Sequence, residues 1–179
     1  MAGAELLDVV DEEDRPIRKA SVKSCVEEGL LHRAVAVIIR RSNGKLLLQR
    51  RSTRDLWHPG RWTLSCTGHV RSGETYLRAG RRELYEELGM KAQLKMLCRL
   101  LLPKVRSRGL TEWEQVALFA SLTDKRAVTD PVELEEVREL SVQEVRRMLS
   151  GRKLTPDAKI LLSKYFRLVG DDPCPRRAL

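Results

Sequence analysis

Apolar and polar positions alternate along the chain in two distinct rhythms. Ala34 to Arg40 is a β-branched, apolar run, which predicts a buried strand. Ser42-Asn43-Gly44 then reads as a tight turn, and Lys45 to Arg50 pairs back as a hairpin. Leu6 to Val10 reads as a short strand, closed by a turn signal at Asp11–Asp14 and Pro16. Ser21 to Leu31 is compatible with a short helix or an irregular segment. Pro59-Gly60 breaks the chain before a strand at Trp62 to Thr67. Ala92 to Val105 and Trp113 to Leu122 read as two strands around a basic loop, Lys104 to Arg108, and Glu135 to Leu140 as another short strand.

The helical rhythm is clearest from Glu74 to Leu88. Leu77, Leu84 and Leu88 recur at helical spacing, Ser72 or Thr75 can cap the start, and Gly89 can end the helix in the left-handed conformation. Gly80 in its middle costs about 1 kcal/mol against alanine, which implies close packing there. Ser141 to Leu149 and Pro156 to Leu168 read as helices capped by Ser141 and Thr155. Strands mixed with flanking helices predict an α/β layered domain. Residues 1–30 read as an N-terminal strand and extension, 31–169 as the main domain, and 170–179 as a frayed tail.

Composition narrows the class. A chain of 179 residues, 42% hydrophobic and 33% charged, suits one folded domain and argues against disorder. No apolar run is long enough to span a bilayer, and Met1 to Arg15 lacks a basic-then-apolar leader. Cys25, Cys66, Cys98 and Cys174 form no CxxC pair, so the expected setting is reducing and cytoplasmic. The net charge of +9 fits either nucleic acid or small anionic phosphates. The few aromatic residues do not interleave with basic clusters, which weighs against nucleic acid and leaves a small anionic partner. Oligomeric state is not legible, and a homodimer is compatible with the sequence.

The chemistry concentrates between Gly68 and Met90. Glu83, Glu86 and Glu87 fall at i, i+3 and i+4, on one helical face and within about 6 Å at Cβ. Like charges so placed destabilise a helix unless a cation joins them, and hard divalent ions prefer carboxylate oxygen. Taken alone, Glu86-Glu87 is more often a solvated face. The longer pattern changes that weighting. Gly68, Glu74, Arg82-Glu83-Leu84, Glu86-Glu87 and Gly89-Met90 meet every position of the pattern G-x5-E-x7-R-E-U-x-E-E-x-G-U, U being aliphatic. The chain therefore resembles the Nudix hydrolases.

That resemblance implies an α/β/α sandwich with a mixed sheet and a loop–helix–loop formed by the box. It implies Mg²⁺ or Mn²⁺ held by Glu86 and Glu87, with Glu83 as a ligand or general base. Arg82 would orient a glutamate through a charge-assisted hydrogen bond. Glu74 would stand behind the ligands or brace the loop, and Gly68 and Gly73 would permit a tight backbone path. The implied substrate is a small diphosphate, cut at its pyrophosphate linkage.

The flanks resemble one Nudix-fold branch more closely, isopentenyl diphosphate isomerase. The matching segments are Leu31–Ala34, Gln49–Arg51, Pro59–Thr63, Gly68-His69 and Glu112–Glu114. In that enzyme histidines and an E-x-E pair hold a second metal, and His32, His69, Glu112 and Glu114 match four of those positions; the fifth falls at Cys25. Arg51 matches a diphosphate contact, and Lys104 and His69 are further candidates for binding substrate. His58 matches nothing and reads as structural or exposed. Two departures argue against isomerisation. Thr67 stands where the isomerase has its catalytic cysteine, and Cys66 would point to the opposite strand face. The chain also keeps the hydrolytic Arg82-Glu83. The reading is a hydrolase of nucleoside diphosphate derivatives; an isomerase-like enzyme, an isoprenoid diphosphate hydrolase, or a non-catalytic module are the alternatives. Loops Ser52–Trp57 and Lys104–Trp113 are the candidates for recognising the organic group.

Overall fold

The computed structural model describes residues 5–54, 57–128 and 134–170. In chain order its elements are β1 (Leu6–Val10), β2 (Pro16–Ser21), α1 (Val22–Glu28), β3 (His32–Arg40), β4 (Leu46–Arg51), β5 (Trp62–Thr63), β6 (Cys66–His69) and α2 (Tyr76–Leu88). Then follow β7 (Lys95–Leu101), β8 (Val105–Ser107), β9 (Leu110–Glu112), β10 (Glu114–Leu122), β11 (Leu134–Leu140), α3 (Val142–Ser150) and α4 (Pro156–Val169).

Strand β3 organises the molecule. It pairs in parallel with β10 along its whole length, from Glu114↔His32 to Leu122↔Arg40. On its other side β6 pairs antiparallel with the first half, Ala34↔His69 to Val37↔Cys66, and β4 with the end, Ile39↔Leu47. Among the described residues the mixed sheet has nine strands, with β2 and β11 at the ends of its longest path.

Alternation along β3 assigns each face its cover. Ala34, Ala36 and Ile38 meet Val145 of α3 and Ala158, Leu161 and Tyr165 of α4. Val35, Val37 and Ile39 meet Ala79, Leu84 and Leu88 of α2. The result is the expected α/β/α arrangement. A third small cluster, Leu7, Val9, Ala20 and Cys25, seats α1 against the β1–β2 hairpin.

Most expected elements form, with three differences. Strand β2 was not expected: its residues are mostly exposed, so no apolar alternation announces it. The segment Trp62–Thr67 divides into β5 and β6, because Leu64 and Ser65 turn fully inward between them; Ser65 Oγ donates to Leu47 O and accepts from the Ile39 amide. The basic loop at Lys104–Arg108 is largely β8, which closes on β9 through Arg108 and Gly109 at positive φ. Elsewhere the local chemistry acts as expected. Thr75 caps α2, Ser141 makes a full capping box, and Pro156 opens α4 after Thr155. A Cβ on Gly80 would sit 3.1 Å from Leu94, which explains the glycine. The expected frayed tail beyond Gly170 lies outside the described residues.

Two aspartates of the N-terminal hairpin hold the start of α2. Asp14, 7% exposed, accepts from Arg33 Nε (2.6 Å), Arg99 Nη1 (2.6 Å) and Tyr76 Oη (3.0 Å), the last on the first turn of α2. Asp8 accepts from Ser72 Oγ (2.7 Å) and the Gly73 amide (3.1 Å). Ser72 thus serves Asp8 rather than capping the helix.

Candidate active site

The turn before α2 brings its acids together. Gly73, at φ 77°, makes the reversal. Gly68 in β6 faces α2 so closely that the side chain of Glu83 fills the space of a Cβ. Arg82 ties the cluster: Nη1 donates to Glu83 Oε1 (2.6 Å) and Glu86 Oε2 (3.0 Å). Its Nε and Nη2 donate to the two oxygens of Glu74 (3.2 and 3.0 Å), and Nη2 also to His69 O (2.9 Å). Burial works against the charge of Arg82, but the hydrogen bond to Glu74, the charge of Glu83 and the hydrogen bonds to Glu83 and Glu86 outweigh it and raise its pKa.

The carboxylates differ in environment. Burial pushes Glu87 up to about 8, although the amide of Gln49 donates to its Oε2 at 3.0 Å. Burial also raises Glu83, to about 7, against the pull of Arg82. Glu86 is the open member, 44% exposed and also 3.6 Å from Arg71. A buried acid whose charge is disfavoured gains most from a cation, so this donor set suits a hard divalent ion.

A second group lies on the other face of the sheet, one donor side chain from each of three neighbouring strands. His32 of β3, His69 of β6 and Glu114 of β10 place one donor atom each within 4.8 Å of one another. His32 Nδ1 faces Leu30 O at 2.9 Å; a carbonyl only accepts, so the ring proton belongs on Nδ1. That leaves the buried Nε2 with no hydrogen-bond partner, 3.8 Å from Glu114 Oε1. Burial holds His69 neutral, at about 3, and also lowers His32. Burial, then the charges of Glu112 and Asp157, push Glu114 well above the usual range, opposed by Arg51. Two neutral imidazoles with a buried carboxylate and an orphaned Nε2 fit a divalent metal.

One cavity of about 370 Å³ joins the two groups. Arg51, Arg71 and Arg82 supply its positive charge, and Trp57 and His58 reach it from the loop after β4.

The NUDIX domain pattern matches residues 30–162. The chain belongs to the Nudix family. An isopentenyl-diphosphate Delta-isomerase of Photorhabdus laumondii is 31% identical to this Nudix chain over 147 residues, 82% of the chain and 83% of that protein. An uncharacterized Nudix hydrolase of Yersinia pestis is 40% identical over 168 residues, 90% of the chain and 86% of that protein. In structure, the Nudix fold is shared with DR0079 from Deinococcus radiodurans (TM-score 0.73, 24% identity, 89% of this chain and 98% of that one). It is shared also with the NUDIX domain of Shewanella oneidensis NrtR, solved with ADP ribose (TM-score 0.60, 20% identity, 77% and 87%).

Within this Nudix domain the residues singled out in the sequence fall mostly in one place. Glu83, Glu86, Glu87, Arg82, Arg51, His69, Glu112 and Glu114 line the cavity, and His32 stands behind it. Glu112 is outside the close trio. Cys25 is apart from it too, buried in the cluster under α1. Lys104 does not line the cavity: its ammonium sits 3.7 Å over the ring of Trp113. Thr67 lines the cavity, whereas Cys66 is fully buried on the α2 side near Glu87. His58, which matched nothing in the sequence, also lines the cavity. Sequence reasoning missed Gln49, Arg71, Asp157 and Glu5. Only Gln49 left a signal, a lone amide in the apolar run of β4.

Proposed function

We propose that this Nudix enzyme is a hydrolase that cuts the diphosphate linkage of a nucleoside diphosphate derivative with Mg²⁺ or Mn²⁺. The observation that carries the reading is Arg82, which binds Glu74, Glu83 and Glu86 at once and so holds an acidic set in place beside a cavity that also contains Arg51 and Arg71. A bound divalent ion would neutralise diphosphate oxygens and acidify a water. Glu86 and Glu87 would hold that ion, and His32, His69 and Glu114, with Glu112 nearby, a second. Glu83 takes the proton from the attacking water, held for that role by Arg82 and by its seat on Gly68. Arg51 and Arg71 bind phosphate oxygens and orient the anhydride. Arg82 acts as a positioning residue for Glu83.

The lining of the cavity favours a polar organic group. Glu112, Asp157 and Arg51 accompany the small apolar wall of Ala34, Ala36 and Val116, and Trp57 offers a flat face at the rim. Isoprenoid chemistry is the second reading, supported by the relatives named as isomerases. Thr67 opposes it, because a threonine hydroxyl replaces the thiol that the isomerase resemblance requires at this place. A panel of nucleoside diphosphate derivatives and isopentenyl diphosphate, followed by ³¹P and ¹H NMR with Mg²⁺, separates the two. Cleavage of the former, lost in Glu86→Gln/Glu87→Gln, is expected. Double-bond migration in isopentenyl diphosphate with no anhydride cleavage would overturn the proposal.

A further inference from the structure

The environment of Glu87 contains a group that the box does not supply. Gln49 lies on β4, 2% exposed, and its Nε2 donates to Glu87 Oε2 at 3.0 Å. The Cys66 thiol and the Thr67 amide lie against the same carboxylate. The amide turns its nitrogen toward Glu87, the arrangement that suits Glu87 ionised as a cation ligand, and this fixes the direction of its oxygen. That oxygen is buried, has no hydrogen-bond partner, and belongs to a side chain lining the catalytic cavity. A buried acceptor left unsatisfied is costly, and the cost is removed when a ligand brings an O–H to it.

We infer that Gln49 is a positioning residue for Glu87. Its amide is neutral, so it restrains one carboxylate oxygen without adding charge to a site already crowded with acids. An acidic residue here would repel Glu87, and an apolar one would leave Glu87 Oε2 without this donor. The inference rests on the proposed role of Glu87 as a cation ligand, and it concerns how that ligand is aimed.

Gln115 provides the control. It is also a buried glutamine with an unpartnered side-chain oxygen, but it does not line the cavity. Mn²⁺ affinity, read by electron paramagnetic resonance on the full chain, is compared in wild type, Gln49→Met and Gln115→Met, with thermal melts of each cation-free protein. Gln49→Met is expected to weaken Mn²⁺ about tenfold or more, in the range found for groups that orient metal ligands. Gln115→Met is expected to leave the affinity unchanged within error. In the wild type, the Gln49 side-chain amide resonances should move on addition of Mg²⁺. Equal Mn²⁺ affinity in wild type and Gln49→Met, equal losses in both variants, or unmoved resonances would overturn the inference. A wild type that cleaves no diphosphate, with Mn²⁺ affinity that falls in Gln49→Met, would leave it standing and remove the hydrolase reading; an active wild type whose Mn²⁺ affinity is unchanged in Gln49→Met would do the reverse.

Discussion

The carboxyl group of Glu83 occupies the space that a side chain on Gly68 would need. The glycine of β6 and the acid of α2 are therefore one feature. The strand surface is hollowed by one side chain so that the proposed base can rest on backbone.

Gly68→Ala should consequently displace Glu83. We expect kcat to fall about 10²-fold, the order found for small misplacements of reacting groups, at a stability cost of about 1–3 kcal/mol. Steady-state kinetics and urea unfolding measure the two. A kcat within a few-fold of wild type would mean that Glu83 does not take the proton.

Arg82 is 15% exposed and satisfies partners of similarly low exposure, Glu74 and Glu83. Arg82→Ala leaves both acids without their cation, so we expect about 2–4 kcal/mol of destabilisation. Arg82→Lys should recover only part, since an ammonium cannot reproduce the forked contacts. Denaturant unfolding of both variants checks this, and saturating Mn²⁺ should restore more stability to Arg82→Ala than to wild type.

The acids give the cation-free protein a defined pH response. Glu83 and Glu87, at about 7 and about 8, lie above their ordinary value of 4.5. Between 4.5 and 8 the folded form binds more protons than the unfolded form at these positions. Their contribution to stability is therefore fully present below 4.5 and is lost as pH rises toward 8. His69, at about 3, works oppositely, losing its contribution as pH falls from 6.5. Above 6.5 only the acids remain in play. The rise in Tm on adding Mn²⁺ should thus be larger at pH 8 than at pH 6.5, and Glu87→Gln should flatten the difference. Differential scanning fluorimetry at the two pH values reads this directly.

Arg51 and Lys104 make a clean pair, because only the first lines the cavity. Arg51→Ala should raise KM for the diphosphate about tenfold or more, from loss of a charge-assisted contact. Lys104→Ala should leave KM unchanged. A Lys104 effect as large as that of Arg51 would show that the β8–β9 hairpin reaches the substrate.

Several features could be read from residues alone because local chemistry decides them. The α2 cluster follows from helical spacing, Thr75 and Gly89 from capping, and the buried β3 from its β-branched run. Strand β2 was not legible, since it is built from hydrogen bonds to β1 while its side chains face water. Asp157 and Arg71 were not legible either, because tertiary packing alone brings α4 and the box loop to the same cavity. Lys104 is a related case, since it lies off the cavity. A positive charge in a loop looks available for phosphate until the structure shows Trp113 beneath it.

The His32, His69 and Glu114 trio is distributed over three adjoining strands, two of them running antiparallel and two in parallel. Side chains on a strand point alternately up and down, so sliding β10 by a single position would turn Glu114 toward α2 and away from both imidazoles. The trio can exist only when the centre of the sheet has closed in its final alignment. Occupancy there would act as a seal on correct assembly, rewarding the one arrangement in which segments distant in the chain arrive in step.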